Sequence, residues 1–135
     1  MSFMLIVDRE ISIAPYFKDI EDIYVENGWG LAYPPELLSR MFANCYYILA
    51  IREGKAVGFI RAFTDNATVT HLSELAVHPS HQRQGVGEAL VKKFVADLGG
   101  TTVYLETPIE SVDLLFTRHG FSKKSKLNVY ARKAR

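Results

Sequence analysis

Apolar positions recur along the chain in two alternating rhythms. Met4–Asp8 reads as a first strand, and over Pro15–Glu26 the residues Tyr16, Ile20, Ile23 and Tyr24 fall near helical spacing. Pro15 near the start and Gly28 just beyond the end are helix start and stop signals. The loop Asn27-Gly-Trp-Gly-Leu-Ala-Tyr-Pro-Pro35 follows, then a second short helix over Glu36–Asn44. Tyr46–Arg52 and Val57–Phe63 are strands joined by a hairpin turn at Glu53-Gly54-Lys55, and Thr68–Val77 is the next β-rich run, ending at His78-Pro79. A helix over Gly85–Leu98 carries Leu90, Phe94 and Leu98 as one apolar stripe with Val91 and Val95 beside them, and Gly99-Gly100 stops it. Thr101–Glu106 predicts a strand, Ile109–His119 a helix ending at Gly120, and Leu127–Ala131 a closing strand. This order predicts an α/β fold with an antiparallel first half and strand–helix units after it.

Composition narrows the class. At 135 residues and 48% hydrophobic, the chain suits a single domain spanning 1–135 with its own core. Sixteen basic against fifteen acidic residues give a net charge of +1, which offers no electrostatic basis for a nucleic-acid or membrane-surface partner. The charge is unevenly spread. From Ser122 onward there are six basic residues and no acid, which leaves ten basic and fifteen acidic residues before it. That basic end is either a solvated tail or a functional polarity. The single cysteine, Cys45, forms no intrachain disulfide and reads as a buried apolar filler. With no basic region before the first apolar run and no stretch near the ~18 apolar residues of a membrane span, a reducing cytoplasm is the expected compartment.

The chemistry concentrates in His78-Pro-Ser-His-Gln-Arg-Gln-Gly-Val-Gly87, between a strand and a helix. Gly85 and Gly87 at a helix N-terminus let backbone approach a ligand closely, and the free N–H groups of the first turn favour an anion such as pyrophosphate. The dinucleotide fingerprint fits poorly, because Leu90 stands where its third glycine belongs, and no Gly-Lys-Ser/Thr of a nucleotide P-loop occurs. The pattern Gln82-x-x-Gly85-x-Gly87, preceded by Leu75-Ala76-Val77-x-Pro79 and followed by an amphipathic helix, resembles the acyl-CoA pyrophosphate loop of the GNAT superfamily of N-acetyltransferases. The later strand and Leu114-Leu-Phe-Thr-Arg-His-Gly-Phe121, similar to that superfamily's last helix and its Gly-Phe ending, extend the resemblance over residues 68–121.

The resemblance implies a GNAT-like mixed sheet of six to seven strands with about four helices, acetyl-CoA as co-substrate without a metal, and a small-molecule primary amine as acceptor. It is compatible with a homodimer. Backbone amides from Gln82 through Arg83, Gln84, Gly85 and Val86 to Gly87 would hold the pyrophosphate, and the main chain of Leu75, Ala76 and Val77 would pair with the pantetheine arm. Arg83 either faces solvent or screens phosphate charge. A backbone N–H near Leu75–Val77, where the family strand commonly bulges, would meet the developing oxyanion.

An alkyl ammonium with a pKa of ~10.4 must lose a proton before it attacks, so a carboxylate is required. Glu74 is the candidate base: strand alternation puts it on one face with Leu72 and Ala76, a mostly apolar setting that raises a carboxylate's pKa. Glu106 is the reserve. Many relatives carry a Tyr four residues before the Gly of Gly-Phe, where this chain has Phe116, and Ile109 stands about where they carry an Asn. The acid is then Tyr104, Tyr130 or water, or the thiolate leaves without one. Trp29 and Tyr33 either build the acceptor pocket or pack on the core. His78-x-x-His81 lacks the support a zinc site needs. The missing Tyr and Asn keep a second class open, a non-catalytic acyl-CoA-binding module. If the basic end serves the coenzyme's phosphates, replacing Lys123, Lys124 and Lys126 with Gln raises the KM for acetyl-CoA at low salt, and an unchanged KM marks a solvated tail.

Overall fold

In the computed structural model, residues 4–8, 11–30 and 33–134 are described. Leu31 and Ala32 of the expected aromatic loop and Arg135 of the basic end lie outside them. Five strands are present among the described residues: β1 (Met4–Asp8), β2 (Tyr46–Arg52), β3 (Lys55–Thr64), β4 (Val69–Val77) and β5 (Thr102–Tyr104). Four α-helices accompany them: α1 (Phe17–Glu26), α2 (Pro35–Ala43), α3 (Val86–Leu98) and α4 (Asp113–Thr117). Contacts divide the chain into two compact units, Met1–Leu105 and Glu106–Arg135.

In the first unit the strands lie in sequence order. β1 through β4 are antiparallel neighbours and β5 joins β4 in parallel. Where six to seven strands were expected, the sheet has five among the described residues. The closing strand at Leu127–Ala131 is absent: Leu127, Val129 and Tyr130 are exposed and their backbone is irregular. An alternating apolar pattern marks what a strand could bury, but a strand exists only where a neighbouring edge takes up its hydrogen bonds. The run predicted over Thr101–Glu106 shrinks to Thr102–Tyr104 for the same reason, since its register with β4 covers only Val69 to His71.

Each face of the sheet carries its own layer. Tyr47, Leu49 and Phe59 point to one side, where Ile20, Ile23 and Tyr24 of α1 and Leu38 and Phe42 of α2 close a continuous core. Edge-to-face contacts of Phe42 with Tyr47 and Phe59, at 5.2 and 5.5 Å between ring centroids, lock α2 there. On the other side α3 lies against β2, β3 and β4, with Val86, Leu90, Val91 and Phe94 buried. Gly58 lets this helix approach. A Cβ there would stand 3.0 Å from the Ala76 carbonyl oxygen, 3.0 Å from Val86 Cγ1 and 3.2 Å from Leu90 Cδ1.

Two bulges break the pairing. Ala50 opposes Gly58 while Ile51 opposes Ala56, which leaves Val57 extra on β3. Arg61 opposes Glu74 while Ala62 opposes Leu72, which leaves Ser73 extra on β4. The second bulge corrects the alternation expected of β4: Leu72 turns to the α3 side with Ala62, whereas Glu74 stays with Ala76 on the α1 side.

The second unit contains a turn of 3-10 helix at Glu110–Val112, then α4, shorter than the predicted Ile109–His119, with Gly120 in the left-handed region just after it at φ 87°. Gly58→Ala is expected to destabilise the protein by ~1–3 kcal/mol through overpacking under α3, read as a lowered Tm.

Candidate functional site

β4 carries the site because it is paired completely on only one side. Its pairing with β5 stops at His71–Tyr104, so from Leu72 to Val77 no strand flanks it on that edge among the described residues. The N–H of His78 bonds the Val57 carbonyl on β3 at 2.8 Å. By alternation the peptide groups of Leu75 and Val77 turn to the open edge, while those of Ala76 face β3. The carbonyl of Val77 is already engaged, by Asn27 Nδ2 at 3.1 Å and Gln82 Nε2 at 3.0 Å. Asn27 also accepts from Gln82 Nε2 at 3.3 Å, so the end of α1, the end of β4 and the following loop are tied at one point.

Beyond Val77 the backbone makes one 3-10 turn at Pro79–His81, capped by His78 Nδ1, which accepts from the Ser80 N–H at 3.1 Å. It then enters α3 through Arg83 and Gly85, both left-handed at φ 61° and 86°. Gly85 is the N-cap, has no side chain to satisfy the first-turn donors, and faces open space where a Cβ would stand. The first amides of α3 therefore point at solvent beside a bare backbone. Gln82, Arg83 and Gln84 are exposed, Gly87 is half-buried, and Val86 buries its side chain beneath the helix and offers only its N–H.

Arg52, at the end of β2 and 9% exposed, ties the loop to the sheet. Its Nη1 donates to Gln84 Oε1 at 2.7 Å and lies 3.2 Å from His81 Nδ1. That geometry needs Nδ1 as an acceptor, and burial, with the Arg52 charge, lowers the His81 pKa.

Glu74 does not sit in apolar surroundings. Arg61 Nε donates to its Oε1 at 2.7 Å, and the buried Tyr24 hydroxyl donates to the same oxygen at 2.6 Å. Oε2 has no donor on it among the described residues. Burial, then the Glu74 charge, pushes the Tyr24 phenol far above its ordinary value, so it remains a proton donor in this bond. Burial works against the Arg61 charge, but the hydrogen bond to Glu74 and the Glu74 charge, with smaller contributions from Tyr24 and Cys45, together raise the guanidinium pKa. Tyr33 stacks on Tyr24 with centroids 4.3 Å apart, which brings it within one residue of Glu74. Trp29 and Tyr33 both pack against the core cluster.

Cys45 is half-buried rather than a sealed filler. Its thiol lies 3.8 Å from the Phe42 carbonyl and lines an open hollow of about 300 Å³ with Ser12, Ser39 and Tyr47. Burial raises its pKa. Tyr104 and Tyr130 are exposed, and Phe116 packs its ring on Phe121 at 5.3 Å. Glu106 belongs to the second unit. Among the described residues no group of three or more His, Cys, Asp or Glu side chains is arranged to hold a metal ion, and no helix is long and apolar enough to cross a membrane.

The model of the acetyltransferase (GNAT) family matches residues 13–121. The chain belongs to that family. No curated protein sequence matches it. Among solved structures, this GNAT chain is similar in fold to a GNAT-family acetyltransferase of Streptococcus pneumoniae, at 23% identity and TM-score 0.74 over 97% of this chain and 100% of that one. It is also similar to glucosamine-6-phosphate N-acetyltransferase from Arabidopsis thaliana, at 13% identity and TM-score 0.78 over 97% and 99%. An aminoglycoside N-acetyltransferase solved with CoA matches at 16% identity and TM-score 0.68 over 99% and 97%.

Arg61, Tyr24, Asn27 and Arg52 join the candidate site, although the sequence pattern did not single them out. Arg61 did leave a signal: it is the one charge inside the apolar run Ala56–Phe63, and a charge so placed needs a partner. A histidine whose folded pKa is depressed contributes stability above its unfolded pKa of about 6.5, and that contribution is lost as pH falls through the folded value. The Tm advantage of wild type over His81→Asn is therefore expected to be largest near pH 8 and to shrink on acidification below about 6.5. An advantage independent of pH would refute this role for His81.

Proposed function

We propose that this GNAT-family protein, as one domain over 1–135, transfers acetyl from acetyl-CoA to the primary amine of a small molecule by direct attack. The observation that carries the reading is the pairing of an open β4 edge with an uncapped, glycine-led helix N-terminus directly after it. The residues present fit an acyl-CoA. The first amides of α3 and those of Arg83 to Gly87 suit a pyrophosphate, whereas the Gln82 N–H is already given to the Pro79 carbonyl at 3.5 Å, and Leu75 and Val77 have peptide groups turned to the edge where an extended arm would lie. With its single cysteine, the chain suits a reducing cytoplasm.

Bound acetyl-CoA supplies an activated acetyl group. Glu74 takes the proton from the acceptor ammonium at Oε2, the oxygen that Arg61 and Tyr24 leave unoccupied. Those two residues hold the carboxylate in place through Oε1. An N–H of Leu75 or Val77 stabilises charge developing on the thioester oxygen. Tyr33, stacked on Tyr24, borders the acceptor, and Trp29 supports the loop that carries it. Phe116 has no proton to give, which favours departure of the thiolate without a side-chain acid; it also favours the second reading, a binding module without turnover.

Titration calorimetry with acetyl-CoA tests the coenzyme site, and absence of binding at millimolar concentration overturns the proposal. Glu74→Gln is expected to lower kcat by about 10²-fold or more while leaving acetyl-CoA affinity unchanged. Acetyl-CoA binding without thiol release across a broad amine panel would establish the binding module instead.

A further inference from the structure

The pair that positions Glu74 also determines what the acceptor site tolerates. We propose that Arg61 sets the acceptor class, admitting amines with one positive charge and an apolar remainder and rejecting those with a second positive charge. The inference rests on the acetyl-transfer reading and narrows its acceptor.

Arg61 and Glu74 are direct cross-strand partners on the α1 side of the sheet, with side chains only 13% and 21% exposed. Their charges cancel. An acceptor ammonium that meets Oε2 therefore meets a carboxylate that already holds a cation at 2.7 Å. One ammonium is accommodated because it gives up its proton there. A second one nearby finds no unspent negative charge in the pair and is repelled by a guanidinium that bulk water screens poorly.

The guanidinium is held in this position. Its carbon lies 6.0 Å from the Phe42 ring centroid and 5.6 Å from that of Phe63, so two aromatic rings and a carboxylate fix it. Next to the pair on the same face, Phe63 opposes His71, and His71 opposes Tyr104 on β5. Phe63 and Tyr104 are 45% and 50% exposed. Phe63 is two residues from Arg61 along β3, about 7 Å, within reach of a short alkyl chain whose nitrogen rests at Glu74. Exposed rings at that distance suit an apolar tail, and the Phe63 ring already carries the Arg61 guanidinium over it.

The test compares kcat/KM for pentylamine and 1,5-diaminopentane, which differ in length by one terminal nitrogen and in charge by one ammonium. Wild type is expected to prefer pentylamine by about tenfold or more. Arg61→Met is expected to erase most of that preference, while Arg61→Lys, which keeps the charge, retains it. A wild type that prefers the diamine overturns the proposal, even if Arg61→Met does not fold. So does an Arg61→Met ratio equal to that of wild type, or an Arg61→Lys variant that loses the preference as fully as Arg61→Met. Inactivity on every amine with acetyl-CoA binding intact would instead overturn the acetyl-transfer reading and this inference with it; turnover with an unchanged ratio overturns the inference alone.

Discussion

Ser73 has no partner on β3, and the geometry of the candidate site depends on that extra residue. Without a bulge at Ser73, strict alternation would place Leu72 and Glu74 on one face and shift one of them out of its layer. With it, Leu72 joins the layer beneath α3 while Glu74 faces α1, opposite Arg61 and beneath Tyr24. A carboxylate turned to the α3 side would face the layer in which Leu72, Leu90 and Phe94 are buried, where burying a charge without a partner is costly. The bulge resolves that conflict at the cost of one unpaired residue.

The same strand ends in a set of mutually dependent contacts. Close packing over Gly58 brings Val86 down and fixes where α3 begins. Gln82 and Asn27 meet at the Val77 carbonyl, and Arg52 holds Gln84 and His81 from the other side. Two glutamines in a glycine-bearing loop look like ligand contacts when read along the chain. Their side chains bind the protein to itself, and the Ser80, His81 and Gln82 N–H groups are taken up within the loop, which leaves the amides from Arg83 to Gly87 free of backbone acceptors.

Much of the architecture was legible. The first helices, the hairpin at Gly54 and the long helix after Gly85 all lie near their predicted places, because their start, stop and periodic signals are local. The run at Leu127–Ala131 carried an equally good alternating signal and formed no strand, because pairing depends on an edge that no local pattern specifies. Glu74 was recognisable as an acid in the strand before the loop. Its setting was not, since the alternation used to infer it fails across a bulge.

The sequence by itself determined the order of the elements, the glycine-led turn into α3 and the presence of one acid at the right place in β4, all of which follow from short-range steric and periodic rules. Only the tertiary structure decided that this acid is bound by Arg61, thirteen residues earlier, and by Tyr24, fifty residues earlier. Cross-strand register and helix docking bring such residues together, and both depend on packing that no window of neighbouring residues contains. The hydrogen-bond partners and the free oxygen of Glu74 therefore belong to the fold rather than to the motif.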